Sequence, residues 1–436
     1  MSGFPEAAMK AQMAAPWAEL AAIVGSDHLR AATPADAVDG VPAQMVIKPA
    51  SADELARALR VANAAGLSVI PRGGGTKLGW GNPPRRADLI LSTARLDRVL
   101  EHAWGDMTAT VQAGCTVEHF QRILAEHRQR LALDALWPER ATIGGMLAAN
   151  DSGALRVRFG ALRDLIIGIT LALPDGTLAK SGGKVVKNVA GYDLPKLATG
   201  SLGTLGVITE AVFRLYPLPR DVCSMSLTAA STDTLCQIVL AVQDSRLAFT
   251  GLQLRAESEG APQLDVRFEG TTAGIQAQVN QLLQLAKHAT QVDIPPNAPD
   301  IWKAREALWT GTEPALIAKF GVLPSQLSSF CGLVARVAQP LGVTWRLVGQ
   351  GFGVGFLRLE AQREQNEAAL VSAVGSLASE LEQLGGTLVV VHCPPAMKVG
   401  FDVWGSSGDA QPLMLRVKEQ LDPAGTLNPG RFIGGI

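Results

Sequence analysis

Three consecutive glycines, Gly73, Gly74 and Gly75, stand at the centre of the segment whose residue types best suit a chemical role. An apolar run at residues 67–70 precedes them, and Thr76 and Lys77 follow. Backbone without side chains can approach an anion closely, so that several N–H groups surround its oxygens. The hydroxyl and the ammonium group add donors at the same place. The pattern predicts a strand that leads into a loop for the phosphates of a nucleotide.

Two common nucleotide motifs do not fit this loop. The mononucleotide P-loop needs Lys followed by Ser or Thr after a spaced pair of glycines, whereas here Thr76 precedes Lys77. The pattern G-x-G-x-x-G is absent at this place, and further glycines and prolines follow where a helix would begin. Since the chain contains 45 glycines, a plain surface turn is the alternative interpretation.

Two later segments are also rich in glycine and other small residues. Residues 138–153 read PERATIGGMLAANDSG, and residues 200–209 read GSLGTLGVIT. Small residues allow a flat ring or a ribose to lie against the backbone. Together with residues 71–77, these segments favour a nucleotide site over a surface turn.

Helices and strands are predicted around these segments. Ser51 and Glu54 form a capping box for a helix that ends at Gly66, directly before a strand at residues 67–70. The other elements predicted here are a strand at residues 109–112, a helix at 117–130 and a strand at 165–173. In the first 40 residues, Trp17 and Leu20 lie near helical spacing, which predicts a short amphipathic helix packed on a neighbouring molecule.

The order of elements changes after Pro219 to strand, helix, strand, strand, helix, and a similar series begins at Ala315. The predicted elements are a helix at residues 274–288, a helix at 326–337, strands at 343–348 and 354–359, a helix at 366–384 and a strand at 387–392. The repeated series predicts two ferredoxin-like halves.

Composition limits the function. The 436 residues suffice for two domains, and a net charge of −1 gives no electrostatic case for nucleic acid. The five cysteines are scattered singly, which disfavours an iron–sulfur cluster or a zinc site. The sequence shows neither a signal-peptide pattern nor a long apolar span, so we expect a cytoplasmic protein.

The three glycine-rich segments, in this order, resemble the FAD-binding domain of PCMH-type flavoproteins, the vanillyl-alcohol-oxidase family. The ending LDPAGTLNPGR at residues 421–431 resembles the end of the FAD-linked oxidase C-terminal domain. The resemblance implies an α+β fold, with a PCMH-type FAD-binding domain of two subdomains and a ferredoxin-like α/β cap domain. The implied divisions are an N-terminal extension (1–40), the FAD-binding domain (41–220), the cap (221–410) and a C-terminal return segment (411–436).

The same resemblance implies which residues bind the cofactor. The first segment would hold the pyrophosphate, and the later segments would line the flavin and adenosine portions. Because no histidine lies between Pro71 and Pro84, we expect the FAD to be bound noncovalently. The implied cofactor-binding residues are Pro71, Arg72, Gly73, Gly74, Gly75, Thr76, Lys77, Pro138, Thr142, Ile143, Gly144, Gly145, Asn150, Asp151, Ser152, Gly153, Gly206 and Ile208.

One motif of the family is missing. Many members that oxidise D-2-hydroxy acids carry H-x-G-D-G-N in the cap for a divalent metal, and this chain has VGQGFGVG at residues 348–355. We therefore expect no metal site. Alternating glycines leave one face of a strand bare, which suits a ring that packs flat or a neighbouring backbone.

Within the family, the chain resembles the second FAD-binding subunits of bacterial glycolate oxidases. The features that carry this resemblance are the missing metal motif, Leu202 where relatives usually have Glu, and residues 187–194, KNVAGYDL. It implies oxidation of glycolate to glyoxylate in a complex with a second flavoprotein subunit and an iron–sulfur subunit, and membrane contact through those partners alone. The alternatives are a self-sufficient dehydrogenase or oxidase, and a nonenzymatic scaffold with structural FAD.

Catalytic residues are not identified by the sequence, which offers four candidates. Arg305 could bind a carboxylate through a bidentate pair, or could be a solvated helix residue, the interpretation that we favour. Lys319 and Arg346 lie on predicted strands, where half of all side chains face outward. His392 could accept the hydroxyl proton, although a structural, hydrogen-bonded role is the simpler interpretation.

Overall fold

The structure is a computed structural model that describes residues 6–183, 191–294, 299–311, 314–351, 353–361 and 367–436. We describe its elements in three groups: an N-terminal domain (residues 6–217), a cap (residues 221–410) and a C-terminal segment (residues 411–436). The predicted α+β class is confirmed. None of the helices in the described ranges combines the length and the apolar composition that a membrane span requires.

The first half of the N-terminal domain is a four-stranded sheet in the order β1-β2-β4-β3, in which β2, β4 and β3 are parallel. Its elements are α1 (Glu6–Val24), β1 (Leu29–Ala31), β2 (Met45–Ile47), α2 (Ala52–Ala64), β3 (Val69–Arg72) and β4 (Leu89–Ser92). At the start of α2, Ser51 Oγ accepts a hydrogen bond from the Glu54 N–H at 3.1 Å. Leu55, Leu59 and Ala62 then fall on one face of the helix and are fully buried.

The second half is a five-stranded antiparallel sheet in the order β5-β6-β10-β8-β9. Its elements are β5 (Val99–Ala103), β6 (Thr108–Gln112), α3 (Val117–Ala125), β7 (Gln129–Arg130), α4 (Ile143–Ala149), α5 (Arg156–Phe159), α6 (Leu162–Leu165), β8 (Ile166–Ala172), β9 (Leu178–Gly182), α7 (Leu194–Ala198), β10 (Val207–Arg214) and β11 (Tyr216–Pro217). Phe120 of α3 and Phe213 of β10 are fully buried, with ring centroids 6.1 Å apart.

The cap is one eight-stranded antiparallel sheet covered by helices. Its elements are β12 (Asp221–Thr228), α8 (Thr232–Asp244), β13 (Phe249–Glu257), β14 (Gln263–Gly270), α9 (Thr272–Leu285), β15 (Gln291–Asp293), α10 (Pro299–Trp302), α11 (Ala304–Ala307), β16 (Ala315–Gly321), α12 (Leu327–Ala338), β17 (Val343–Gln350), β18 (Val354–Ala361), α13 (Glu367–Gln383) and β19 (Thr387–His392). The order β15-β12-β14-β13-β17-β18-β16-β19 places two halves edge to edge, each a ferredoxin-like series, and joins them through β13 and β17.

The C-terminal segment returns to the N-terminal domain after α14 (Gln411–Leu421). The Val69 N–H of β3 donates to the Thr426 carbonyl at 2.7 Å, and the Asn428 N–H donates back to the Val69 carbonyl at 3.0 Å. Residues 426–428 therefore lie beside the strand that leads into the glycine loop.

Several boundaries differ from the prediction. Strand β3 begins at Val69 and not at Leu67, because the Leu67 N–H donates to the Ala62 carbonyl at the end of α2. Pro71 has no N–H, and β3 tolerates it because the strand lies at an edge of its sheet. Helix α3 ends at Ala125 and not near residue 130, and Arg128 has a φ of 54°. The predicted overall order of elements in the cap is found.

The apolar face of the N-terminal helix packs on the chain itself, and not on a neighbouring molecule as predicted. Leu20 and Val24 of α1 are buried in the same apolar core as Leu55 of α2. Strand β1 pairs with β2, so that one sheet extends across the predicted boundary at residue 40. The first 40 residues therefore belong to the N-terminal domain and are not an extension from it.

Candidate active site

A cleft of about 70 Å³ opens where the glycine-rich segments meet the C-terminal segment. Its walls come from the first loop, from α4, from the segment after α7 and from the chain after α14. The lining residues are Pro71, Arg72, Gly73, Gly74, Gly75, Thr76, Lys77, Leu78, Thr142, Gly145, Ala148, Ala149, Leu202, Asn428 and Arg431. The structure thus brings the whole predicted first loop together with part of the second segment.

The backbone of the first loop is open to a ligand. Within the described residues, the N–H groups of residues 74–77 meet no hydrogen-bond acceptor, and Gly74 and Gly75 are exposed. Gly75 has a φ of 73°, a conformation that favours glycine. Successive free N–H groups in a turn form a concave site for an anion.

Gly73 and Gly74 also allow the first two segments to touch. A Cβ at Gly73 would lie 2.0 Å from Thr142 Oγ1, and a Cβ at Gly74 would lie 1.8 Å from the Arg140 carbonyl oxygen. Both glycines are therefore required by contact between protein segments, in addition to any contact with a ligand.

Arginine side chains stand at both ends of the loop. Arg72 donates from Nη1 to Asp36 Oδ1 at 2.9 Å, and Arg30 pairs with the same carboxylate, so that hydrogen bonds from both hold the pKa of Asp36 well below its usual range. Arg431 is buried and donates to the carbonyls of Leu78 and Trp80. Burial lowers the pKa of Arg431 to about 10. The surroundings of the loop favour a negatively charged ligand.

Beside the cleft, the N-terminal domain packs against the cap through an apolar cluster that we call the domain seam. Its buried members are Trp80, Leu136, Leu308, Ile317, Val348, Phe356 and Val391. Trp137 and Trp309 pack at its border, with ring centroids 5.1 Å apart. Charged side chains meet at this seam.

Asp151 is the centre of the charged cluster and is 1% exposed. Its Oδ2 lies 3.0 Å from Lys77 Nζ of the first loop, and its Oδ1 lies 2.7 Å from Arg305 Nη1 of the cap. The Leu136 N–H also donates to Oδ2, at 2.8 Å. Burial alone would raise the pKa of this carboxyl, but the charges of Arg305 and Lys77 lower it to about 2. One ionised carboxylate therefore joins the glycine loop to the cap.

Lys319 is a third cation at the seam. It is half-buried on β16, and its Nζ donates to the Asn150 carbonyl at 3.4 Å. Its withdrawal from water lowers the pKa of this ammonium to about 8, although the charge of Asp151 opposes the shift. On β17, Gln350 is buried and donates from Nε2 to the Ser152 carbonyl at 3.2 Å.

The four catalytic candidates fall at different places. Arg305 lies at the seam, so the interpretation of a solvated helix residue was wrong: the side chain is buried and bound to Asp151, and it also donates to the carbonyls of Ser152 and Asp134. Lys319 also faces the seam. Arg346 instead pairs with Glu360 at 2.9 Å and is partly exposed.

His392 ends β19, opposite Ile317 of β16. It is half-buried, and its role stays a prediction. The glycines of the 348–355 segment face away from the seam. A Cβ at Gly349 would meet Leu327 and Phe320 of the cap's own core, at 3.3 Å and 3.4 Å. The bare face is therefore filled by the cap itself and does not receive a ligand ring.

Other predicted cofactor residues lie outside the cleft. Ile143 and Ile208 are buried in the core of the five-stranded sheet, and Gly206 is buried directly before β10. Gly144 allows α4 to approach Ala113. Asn150, Asp151, Ser152 and Gly153 face the seam or support it. Pro138 borders a second cavity, of about 370 Å³, next to Arg305. Residues 184–190, which include the first half of the KNVAGYDL stretch, lie outside the described residues.

Some cleft residues were missed. Leu202 and Ala148 are apolar, and Asn428 and Arg431 belong to the far end of the chain. The motif at residues 421–431 indicated the return of the chain, but not which of its side chains reach the cleft. Asn428 Nδ2 donates to the Leu202 carbonyl at 2.5 Å, which connects two walls of the cleft.

Two family models match the chain. The model described as an FAD binding domain matches residues 43–182, and the model described as the C-terminal domain of FAD linked oxidases matches residues 222–432. The two matches cover both parts of the fold, in the expected order. The chain belongs to the FAD-linked oxidases. It is an FAD-dependent oxidoreductase.

Similar proteins include the glycolate oxidase subunit GlcD of Bacillus subtilis, which is 25% identical over 89% of this chain and 88% of its own length. The D-2-hydroxyglutarate dehydrogenase of Xanthomonas citri is 28% identical over 88% of each chain. Among solved structures, p-cresol methylhydroxylase aligns with a TM-score of 0.78 at 15% identity, over 97% of this chain and 96% of that one. A 4-ethylphenol oxidase from Gulosibacter chungangensis aligns with a TM-score of 0.75 at 15% identity, over 96% and 97%. The structural likeness shows the fold.

The residues of this FAD-linked oxidase fit the cofactor. The free N–H groups of residues 74–77 suit a pyrophosphate, and Arg431 adds a buried positive charge to the same cleft. In the described parts of the chain, no group of three or more His, Cys, Asp or Glu residues could hold a metal ion. Noncovalent attachment of the FAD stays a prediction.

Proposed function

We propose that this chain is the FAD-carrying subunit of a heteromeric dehydrogenase that oxidises glycolate to glyoxylate. The observation that carries the substrate class is the charge at the domain seam, where Lys77, Arg305 and Lys319 surround the carboxylate of Asp151. Withdrawal from water raises the pKa of Asp134, so this carboxyl compensates the excess of positive charge less fully. An anionic substrate would supply the missing negative charge.

Each group of residues has a separate role in this proposal. Residues 74–77 and Arg431 hold the pyrophosphate, and Lys319 and Arg305 attract the substrate carboxylate. FAD, when bound, would supply the acceptor for the two electrons of the substrate C–H bond. The aromatic border of the seam, Trp137 and Trp309, limits the access of water. His392 is the candidate that receives the hydroxyl proton.

The relatives support the reaction class. Their printed names include a glycolate oxidase subunit, D-lactate dehydrogenases and D-2-hydroxyglutarate dehydrogenases, which share oxidation of a CH–OH group next to a carboxylate. The name of the first as a subunit supports a complex. In this chain all five cysteines are single, so we propose that electrons leave the FAD for an iron–sulfur subunit beside a second flavoprotein subunit.

The test is anaerobic. The purified chain is loaded with FAD and mixed with glycolate, D-lactate or D-2-hydroxyglutarate, and the absorbance of the oxidised flavin is followed for minutes. We expect bleaching by glycolate once the partner subunits are present. Bleaching by the isolated chain would support a self-sufficient enzyme. A flavin that stays oxidised with all three acids, alone and in the complex, would contradict the proposal.

A further inference from the structure

Two polar side-chain atoms at the seam have no hydrogen-bond partner among the described residues. They are Ser152 Oγ and Gln350 Oε1. Both residues are more than nine-tenths buried, Ser152 at 6% exposure and Gln350 at 4%. Buried polar atoms are nearly always paired, since an unpaired one loses its hydration without compensation. A pair of such atoms in one place indicates a ligand with complementary groups.

The orientation of the Gln350 amide is determined by its neighbour. Nε2 donates to the Ser152 carbonyl at 3.2 Å, and a carbonyl can only accept, so the amide oxygen is the atom left free. Arg305 Nη1 donates to the same carbonyl at 2.9 Å. The amide of Gln350 and the guanidinium of Arg305 therefore meet at the backbone of Ser152, the residue whose own hydroxyl also lacks a partner.

Lys319 belongs to the same surface of the cap. It lies opposite Phe356 in the β16–β18 pairing, and Phe356 lies opposite Val348 in the β17–β18 pairing. Residues directly opposite in antiparallel strands point to the same side, and Gln350 is two residues from Val348. The cap thus presents Lys319 and Gln350 on one face, with the ring of Phe356 between their strands. Both side chains bond to the segment at residues 150–152.

We infer that Gln350 and Ser152 recognise the two functional groups of a 2-hydroxy acid: in the bound substrate, before the hydroxyl proton passes to His392, Gln350 Oε1 accepts a hydrogen bond from the 2-hydroxyl, and Ser152 Oγ donates to the carboxylate, which Lys319 also pairs. This inference rests on the proposed function and identifies residues that determine its specificity. A single free acceptor beside donors matches a molecule with one hydroxyl next to one carboxylate.

The inference has a consequence for product release. The 2-oxo product has a carbonyl in place of the hydroxyl, so it has no proton to donate to Gln350 Oε1. With the product bound, Gln350 Oε1 has no donor and faces the carbonyl oxygen of the product, which is a second acceptor. With the substrate bound, Gln350 Oε1 accepts a hydrogen bond from the hydroxyl. Gln350 thus favours the alcohol over the oxidised product without a metal ligand.

The test compares glycolate with acetate, which lacks the hydroxyl. The sample is the FAD-loaded protein, in its complex where turnover requires it. Glycolate binding is measured as the half-saturating concentration for flavin reduction, and acetate binding as competitive inhibition of that reduction. In Gln350→Met we expect glycolate binding to weaken about tenfold relative to acetate binding. The lost hydrogen bond from Nε2 to the Ser152 carbonyl affects both acids alike, whereas the lost hydroxyl contact affects glycolate alone. Gln350→Glu retains an acceptor but not the Nε2 donor to the Ser152 carbonyl, so its ratio of glycolate to acetate binding should lie between those of Gln350→Met and the wild type. Gln276→Met, at an exposed helix position, is the matched control.

Ser152→Ala gives an independent measurement. It removes a donor to the carboxylate, so the binding of glycolate and acetate should weaken by the same factor. Flavin absorbance after purification verifies that each variant retains FAD. If the ratio of glycolate to acetate binding is unchanged in Gln350→Met, the inference is overturned while the proposed function stands. A water molecule that bridges the two unpaired atoms would give this result. If Gln350→Met does not accumulate with FAD, unchanged binding in Ser152→Ala overturns it. If wild-type protein oxidises no 2-hydroxy acid, both proposals fail.

Discussion

Replacing Asp151 by Asn tests whether one carboxylate holds the glycine loop to the cap. The amide can still accept the Leu136 N–H, but it removes the charge between Lys77 and Arg305, which lie 3.0 Å and 2.7 Å away. Two buried cations then lack a counterion. Removing one partner from a buried ion pair costs about 3–5 kcal/mol, so we expect a loss of that size in the free energy of unfolding.

The pH dependence of this loss follows from the pKa of Asp151. The folded value of about 2 lies below the ordinary value of 3.8, so between them the unfolded chain binds more protons than the folded chain. The stabilisation is complete above pH 4 and is lost as the pH falls through 2. The difference between 3.8 and about 2 corresponds to about 2.5 kcal/mol, of which roughly half is lost by pH 3.

The assay is denaturant unfolding followed by tryptophan fluorescence, because Trp137 and Trp309 lie at the seam and report its separation. The matched control is Glu380→Gln, which removes an exposed partner of Arg336 and should cost less than about 1 kcal/mol. If Asp151→Asn unfolds within about 0.5 kcal/mol of the wild type at pH 7, Asp151 does not connect the two domains energetically.

Three further substitutions follow from the site. Ala148→Leu fills the cleft and should lower FAD affinity at least about tenfold. The control Ala64→Leu, at an exposed position of α2, should leave FAD affinity unchanged. Equal flavin content in the two variants would contradict the assignment of the cleft. Lys319 loses its charge as the pH rises through its pKa of about 8, so KM for glycolate should rise about fivefold from pH 8 to pH 9. Lys319→Arg should remove that rise. A wild-type KM that does not change with pH would refute the role of Lys319 in binding the carboxylate. Asp36→Asn frees Arg72 and should destabilise the protein by about 1–3 kcal/mol above pH 4, as thermal unfolding would show.

The order of elements could be predicted because local signals agree with the fold. Ser51 caps α2 as its sequence indicated, and the repeated series after Pro219 gives the two halves of the cap sheet. The N-terminal helix could not be placed, because its apolar face suits any apolar surface. Its burial against α2 depends on packing that the sequence of α1 alone does not specify.

The candidate site was predictable in part for a different reason. A glycine loop is local, so residues 71–77 could be assigned from their spacing. The partner of Arg305 is Asp151, 154 residues earlier, and no local pattern connects the two. A cation on a short helix is usually solvated, and the tertiary ion pair overrides that expectation. Arg431 was missed for the same reason, since its carbonyl partners lie about 350 residues away.

Lys77 links the two parts of the site. Its backbone belongs to the loop proposed for the pyrophosphate, while its ammonium group pairs with Asp151 at the seam. Movement of the loop would therefore move the ammonium group of Lys77, which pairs with the same carboxylate as Arg305 of the cap. Lys77→Met should consequently weaken both FAD binding and the binding of an anionic substrate, whereas Lys319→Met should weaken the second alone. Equal effects of both variants on flavin content would show that the cleft and the seam are not separate sites.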